Sequence, residues 1–563
     1  MASADRLQGR RWVTSARSST VALLPSLGAA SSLARQPALW LALLAFAFYL
    51  PPAVAVIRLS ADAVEYVDIG RHLVNGDGYV LAVKSYHFGG TEVVHDGLNE
   101  RAPLLPLAIA ALFRLGLGLS AIQVFNALLS AGCAVLVYGI GTSLFGRRIG
   151  ALAGVLAASS PLVLDHLLEP MTEALSSFTA LLACWLIVRN LSSSRLLPFL
   201  AVGSALGLGY LARPTGIALA GASVLGFLVA TRFKRAALRP LAAMLVGLGI
   251  LAVPITLYAN LKNGPSLSYS GEAYHYSVFE ATDIMEQSFD RDLPTPVEFV
   301  SANRNFVAAA ILSNIRGYLK LLFLERNTLL LLLPAWPLVL LTICRGRYPA
   351  GIWPVLLVGC ANFFAYALTW STFDRHYQVL TLFFLLPFAV DGISRLGLGK
   401  IRLGIGPALT ALHLAVAAVV LAWSPALANN YRLNIGAKEE PGRIQVYEDV
   451  RWIGNNSSWS KSFDAEVLSW INLETERSDV LAHHNPWLFT LFTERPAVRV
   501  TRNLDAKKLR RFIVSYHVDY FLLKDGDPDW RTNLEYLQSF ESEGVRVASV
   551  GSYRIFDTRV LWQ

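Results

Sequence analysis

Long apolar runs separated by short polar turns dominate the chain. Runs of about 20 apolar residues recur, each long enough to cross a hydrocarbon core of about 30 Å. Such segments are expected to be helices, because every backbone N–H and C=O must be satisfied within the segment. The pattern predicts about eleven spans. They are Gln36 to Ile57, Ser120 to Phe145, Ile149 to Leu167, Ala174 to Val188, Leu196 to Leu211 and Gly216 to Ala230. Leu241 to Ala259, Thr328 to Cys344, Ile352 to Thr369, Val379 to Ile393 and Pro407 to Trp423 follow. A shorter run, Pro103 to Leu117, carries two prolines at its start and Arg114 near its end. It predicts an interfacial helix lying along the membrane. An amphipathic helix is expected near Val297 to Leu324.

From Ser424 the composition turns polar. Ser478 to His483, Ala497 to Val500, Tyr520 to Lys524 and Val545 to Val550 read as short strands. Pro486 to Thr493 and Ala506 to Tyr516 read as helical pieces between them. The expected fold is therefore a polytopic α-helical membrane protein with a small C-terminal extracytoplasmic α/β domain. The expected organisation is a cytoplasmic tail over 1–36, a transmembrane domain over 37–424 and the α/β domain over 425–563. The transmembrane domain would carry outer loops at 58–119 and 262–326.

Composition agrees. The 563 residues are 54% hydrophobic and 16% charged, well below the roughly 25% charge of soluble chains. The net charge is +9, and its placement matters more than its size. Arg6, Arg10, Arg11 and Arg17 cluster in the N-terminal tail, and Arg232, Lys234, Arg235 and Arg239 in a short loop. This is the positive-inside pattern, so the basicity does not indicate nucleic-acid binding. It predicts a cytoplasmic N-terminus and an extracytoplasmic C-terminal domain. It also favours the interfacial reading of Pro103 to Leu117, since a crossing there would put Arg147 and Arg148 outside. The tail is too long and too loosely apolar for a signal peptide, and Trp40 to Ile57 reads as an uncleaved anchor. Three of the four cysteines fall in apolar spans and Cys344 at a span end, so no disulfide framework is expected.

The charged residues closest to the apolar runs carry the candidate chemistry. Asp62 follows the first span by a few residues, and helical spacing puts it on one face with Tyr66, Ile69 and Leu73. Asn75-Gly76-Asp77-Gly78 would end that helix. A carboxylate at the lipid–water boundary is partly desolvated and suited to act as a general base toward a hydroxyl. The plainer reading of Asp62 is a solvated helix-start acid. Glu169 and Glu173 lie between two apolar spans, where acids are costly and often functional. The plainer reading of Glu173 is a helix cap. Arg101, following Glu100, is placed to bind a phosphate at headgroup depth through forked hydrogen bonds. Arg213 and Arg375 sit at outer turns, and for all three arginines the alternative is a snorkelling anchor. His483-His484-Asn485 has no acid or Cys at ligand spacing, so the non-metal reading leads. The tyrosines near Tyr269, Tyr274 and Tyr276 read as an aromatic belt before a sugar platform.

Together these pieces resemble the GT-C superfamily of membrane glycosyltransferases. The likeness is nearest to the branch of protein O-mannosyltransferases and lipid A aminoarabinose transferases. It is carried by Asp62-Ala63-Val64-Glu65-Tyr66, Glu100-Arg101 before Pro103-Leu104-Leu105-Pro106, and Glu169-Pro170-Met171-Thr172-Glu173. Arg213-Pro214-Thr215-Gly216, Arg375-His376-Tyr377 and the polar C-terminal region add to it. The resemblance implies transfer of a sugar from a polyprenyl-phosphate donor to a lipid, glycan or protein acceptor on the outer face. It implies that Asp62 and Glu169 are catalytic. Glu65, Tyr66, Glu100, Arg101, Glu173, Arg213, Arg375 and His376 would bind substrate. Many relatives carry a second acid directly after the first, where this chain has Ala63. No obligatory metal or other cofactor is therefore expected, and a divalent metal is left open. Two other functions compete: a flippase or transporter of lipid-linked sugar, and a non-catalytic assembly protein of the same fold. Acids at span ends on one side, without inverted repeats, favour the enzyme.

Overall fold

A computed structural model describes residues 36–55, 59–85, 90–160, 163, 169–263, 300–324, 348–369, 378–395, 465–500, 504–525 and 531–563. The expected spans at Thr328 to Cys344 and Pro407 to Trp423 lie outside the described residues, as do Arg375, His376 and the Tyr269 region.

Helices dominate the first two thirds. α1 (Pro37–Ala55) is followed by α2 (Ala61–Asn75), α3 (Leu104–Arg114), α4 (Leu119–Phe145) and α5 (Arg147–Ala158). Then come α6 (Glu173–Asn190), α7 (Leu197–Ala212), α8 (Gly216–Ala230), α9 (Leu238–Asn263), α10 (Arg304–Leu324), α11 (Ile352–Thr369) and α12 (Val379–Arg395). Among the described residues, Leu119–Phe145 and Arg235–Lys262 are long and apolar enough to cross a membrane. Pro37–Pro51, Leu197–Ala212, Gly216–Ala230, Ile352–Leu368 and Val379–Gly392 are shorter apolar helices.

α4 is the spine of the bundle and packs against α1, α5, α6 and α12. Small residues let helices approach closely, as in other membrane bundles. A Cβ on Gly203 of α7 would collide with the Met244 carbonyl oxygen of α9. The buried Tyr49 hydroxyl of α1 donates to the Ala158 carbonyl at 2.7 Å, satisfying a group left over where α5 ends. α3 has 11 residues and so spans about 16 Å, half of what a crossing needs. It packs against α2 instead.

The C-terminal residues build a mixed sheet with strand order β2-β5-β4-β6-β8-β7. β4 (Leu481–His483), β5 (Ala497–Arg499) and β6 (Tyr520–Lys524) are parallel. β8 (Tyr553–Asp557) and β7 (Arg546–Val550) add antiparallel. Helices α13 (Ala465–Glu474), α14 (Trp487–Thr493), α15 (Ala506–Ser515) and α16 (Arg531–Ser539) accompany the sheet. β2 (Val83–Lys84) comes from the loop after α2 and pairs in parallel with β5, Val83 opposite Ala497. β1 (Val80–Leu81) and β3 (His95–Asp96) form a separate antiparallel pair in the same loop. One apolar core is continuous from α2 and α3 into α14 and the sheet, through Val64, Leu105, Ile109, Leu488 and Leu522.

Candidate active site

The site is built on α2. Ser60 caps its start, its hydroxyl accepting the Ala63 N–H at 3.3 Å, and Gly76 closes it in the left-handed region (φ +91°). Residues 63 to 70 are all buried, including Glu65 and Asp68. The helix is enclosed because α3 covers one side and α14 another. Gly70 permits the first contact, since a Cβ there would meet the Ile109 side chain at 2.5 Å.

Arg101 reaches α2 from the turn after β3. That turn is a 3-10 segment, Gly97–Asn99, capped by the Asp96 side chain. The Tyr79 hydroxyl donates to the Arg101 carbonyl at 3.1 Å. The guanidinium forks between the two acids one helical turn apart. Its Nη2 donates to Asp62 Oδ1 at 2.6 Å and its Nε to Glu65 Oε2 at 2.6 Å. It also stands 5.6 Å from the centre of the Tyr66 ring, close enough for a cation–π contact. The two acids differ sharply in exposure. The Asp62 side chain is 37% exposed and the Glu65 side chain 1%. The other oxygen of Glu65 accepts the Trp487 indole N–H at 2.6 Å, a bond from α14.

Burial pushes the Glu65 carboxyl up to about 7. Arg101 opposes that shift, Glu100 and Asp62 add to it, and the Trp487 bond opposes it. Behind Arg101 lies a second charged layer. Glu100 accepts from His95 Nε2 at 2.8 Å and from the Ser85 hydroxyl at 3.3 Å. Burial alone would raise Glu100, but His95, Arg101 and Lys84 outweigh it and hold it below its ordinary value. Burial would lower His95, and Glu100 overcomes this and raises it. Lys84, on β2, is buried and lowered by that burial, with Glu100 and Glu92 opposing.

The second acidic segment lies against the first. Asn126, from α4, donates its side-chain N–H to the Glu169 carbonyl at 3.1 Å, fixing the turn before α6. Ser60 Oγ and Met171 Sδ are 3.9 Å apart, so the start of α2 touches this turn. Glu169 is half-buried. Glu173 opens α6, where the helix dipole favours a carboxylate. It accepts from Arg213 Nη1 at 2.5 Å, and Arg213 also stands 5.5 Å from the Tyr366 ring centre. Asp62, Glu65, Tyr66, Glu100 and Arg101 thus share one connected cluster. Glu173 and Arg213 form a second pair, and Glu169 lies on the turn that precedes it.

Asp68 faces elsewhere. It pairs with Arg71 at 2.6 Å and accepts the Ala82 N–H at 2.9 Å, tying α2 to the β1–β2 segment. His483 is a buried core residue, its ring centre 4.1 Å from that of His484 and 4.8 Å from that of Phe489, which it meets edge to face. Burial, with His484 beside it, lowers it well below its ordinary value. Among the described residues, no three His, Cys, Asp or Glu side chains gather in a way that could hold a metal ion.

Known proteins share part of this chain's sequence and its fold. Residues 100–258 match the family model of dolichyl-phosphate-mannose-protein mannosyltransferase. Over 96% of this chain and all of the other, the structure superposes on ArnT from Cupriavidus metallidurans bound to undecaprenyl phosphate. The TM-score is 0.55 at 12% identity. This is the GT-C fold. Archaeal oligosaccharyltransferase AglB from Archaeoglobus fulgidus, in complex with an inhibitory peptide and a dolichol-phosphate, matches at TM-score 0.51 and 13% identity. That match covers 87% of this chain and 70% of AglB. The arabinofuranosyltransferase AftD from Mycobacteria matches at 0.53 and 14% identity, over 93% of this chain and 41% of AftD. No curated protein matches the chain by sequence. The GT-C resemblance drawn from the motifs is borne out, and the GT-C fold with its apolar helices makes this a multi-pass membrane protein.

Sequence reasoning missed Trp487, Lys84, His95 and Asn126. Asn126 left a signal, a polar residue inside an apolar run of span length. Lys84 and Trp487 left none, because their partners are brought by a strand and a helix distant in sequence.

Proposed function

We propose that the chain transfers a sugar from a polyprenyl-phosphate donor to a lipid, glycan or protein acceptor at the extracytoplasmic membrane face. In this reading the N-terminus is cytoplasmic, and the region after residue 424 is an extracytoplasmic domain. Arg101, forked between Asp62 and Glu65, is the observation that carries it. A guanidinium held at a helix start near apolar spans is suited to neutralise a phosphate that departs with the bonding electron pair. Asp62 is the more exposed partner and takes the proton of the acceptor hydroxyl as its oxygen bonds to the anomeric carbon. The phosphate leaves from the opposite side, so configuration inverts, and an oxocarbenium-like state lies between. Glu65 holds Arg101 in place. Glu169 assists at the acceptor or sugar. Tyr66, Glu100, Glu173, Arg213, Arg375 and His376 complete the substrate contacts. Undecaprenyl phosphate bound to ArnT and dolichol-phosphate bound to AglB support a polyprenyl-phosphate donor.

Mass spectrometry of the purified protein is expected to find a polyprenyl-phosphate sugar. Extracts containing that lipid should support transfer by wild type but not by Asp62→Asn or Glu169→Gln. Transfer at the wild-type rate by both variants would show that these acids are not the site.

A further inference from the structure

α14 is held against α2 at both ends. At its start, the Trp487 indole N–H donates to Glu65 Oε1 at 2.6 Å. At its end, Arg71 of α2 donates to the Leu491 carbonyl at 2.9 Å and to the Thr490 carbonyl at 3.2 Å. A cation over those last carbonyls complements the helix dipole. Asp68 in turn holds Arg71 at 2.6 Å. The apolar side chains Leu488, Phe489 and Leu491 join the same core as Val64 and Ile69. Trp487 is itself fixed, buried with the Arg499 guanidinium 5.8 Å from its ring.

We propose that Trp487 is a positioning residue of the transfer site, orienting Glu65 so that Glu65 in turn aims the Arg101 guanidinium at the donor phosphate. The inference rests on the function proposed above. Glu65 has two oxygens, and each has one strong donor: Trp487 on Oε1 and Arg101 on Oε2. With the indole N–H fixed, the carboxylate plane is fixed, and the second oxygen faces the Arg101 guanidinium through both Nε and Nη2. Without it, the carboxylate can rotate, and the guanidinium loses the partner that orients it while Asp62 pulls from the other side. The groups facing Glu65 are Asp62 on its own helix, Glu100 and Arg101 on the loop between β3 and α3, and Trp487 from α14. The start of α14 therefore reaches the site through a hydrogen bond to a charged group, a class that contributes more than neutral bonds.

The test uses the full chain in detergent, with undecaprenyl phosphate as the binding probe and lipid-linked sugar transfer as the second readout. Trp487→Phe keeps the ring and removes the donor, and is expected to weaken undecaprenyl phosphate binding by roughly tenfold. Because the Trp487 bond favours the charged form of Glu65, its loss should move the acid limb of the binding profile to higher pH. Trp487→His, which retains a ring N–H, should recover part of the affinity. In a Glu65→Gln background, Trp487→Phe should change neither affinity nor pH profile further. A merely structural role would lower melting temperature without moving the pH profile. Trp487→Phe with wild-type affinity and pH profile, where Arg101→Ala has lost binding, would overturn the positioning role and leave the proposed function standing. Unchanged binding and transfer in Arg101→Ala and Asp62→Asn would overturn the assigned site, and absence of transfer by wild type would overturn the function itself. Should Trp487→Phe fail to fold, Trp487→His and Glu65→Gln decide: equal pH profiles in both and in wild type would refute the relay.

Discussion

Glu65→Gln is the sharpest perturbation, because it removes one titrating group and little volume. Glu65 is fully buried, and burial moves its carboxyl from 4.5 to about 7. That displacement corresponds to about 3 kcal/mol, at about 1.4 kcal/mol per pH unit. The sign follows from proton counting. Between pH 4.5 and 7 the folded protein holds the Glu65 proton while the unfolded chain has released it. The stability this group contributes is therefore full below pH 4.5 and is lost as pH rises through 7. Glutamine carries no such proton. The stability of Glu65→Gln minus that of wild type should rise with pH across this window, by about 3 kcal/mol in total. The assay is chemical unfolding of both proteins in the same detergent, followed by fluorescence at pH 4.5, 6, 7 and 8. Only the difference between proteins counts, because Glu100 and His95 titrate in both. Parallel stability curves would refute the claim that burial governs Glu65.

Three other outcomes follow from the geometry. Asp62→Asn should retain undecaprenyl phosphate binding while turnover falls by about 10²- to 10⁴-fold, the usual worth of a general base, as measured by sugar transfer at saturating donor. Arg213→Ala leaves Glu173, only 4% exposed, without its guanidinium. It should destabilise by about 3 kcal/mol, with much of that recovered by adding Glu173→Gln, and an unchanged melting curve would contradict it. Gly70→Ala forces a methyl into the Ile109 side chain across the α2–α3 contact. It should cost about 1–3 kcal/mol, and adding Ile109→Val should relieve part of it, both read by unfolding.

Elements with a strong local period were legible in the sequence. Gly216 to Ala230, Ile352 to Thr369 and Tyr520 to Lys524 have the same limits in the structure as in the hydropathy pattern. Pro103 to Leu117 read as too short to cross, and the helix there is shorter still, Leu104–Arg114. What escaped was made by distant partners. Val83–Lys84 is two residues long, too short for any alternation to register, and becomes a strand only because Ala497 and Val498 lie beside it. Tyr553–Asp557 follows β7 after a two-residue turn, and only the register with both β6 and β7 defines it. The site divides in the same way. Asp62, Glu65 and Arg101 stood out as charges beside apolar runs, and the structure brings those three together. The Trp487 donor was invisible, because nothing in the residues around 487 refers to a carboxylate on α2.

The unequal exposure of the two acids has a mechanistic consequence. A phosphate approaching Arg101 competes for donors already engaged. Nε is bonded to Glu65, which is sealed by Trp487, so that bond is not open to exchange with solvent or ligand. Nη2 also faces Asp62, which is partly exposed. On the proposed chemistry, the incoming phosphate displaces Asp62 rather than Glu65. That displacement turns a carboxylate occupied by an ion pair into one able to accept the acceptor's proton. Donor binding and base release become one event, and a hydroxyl arriving without a donor meets a base still occupied by Arg101. The corollary is measurable. If Glu65→Gln loosens Arg101, Asp62 gains the whole guanidinium, and the variant should lose turnover more than donor affinity. Equal losses in both would mean that Glu65 supports the phosphate directly.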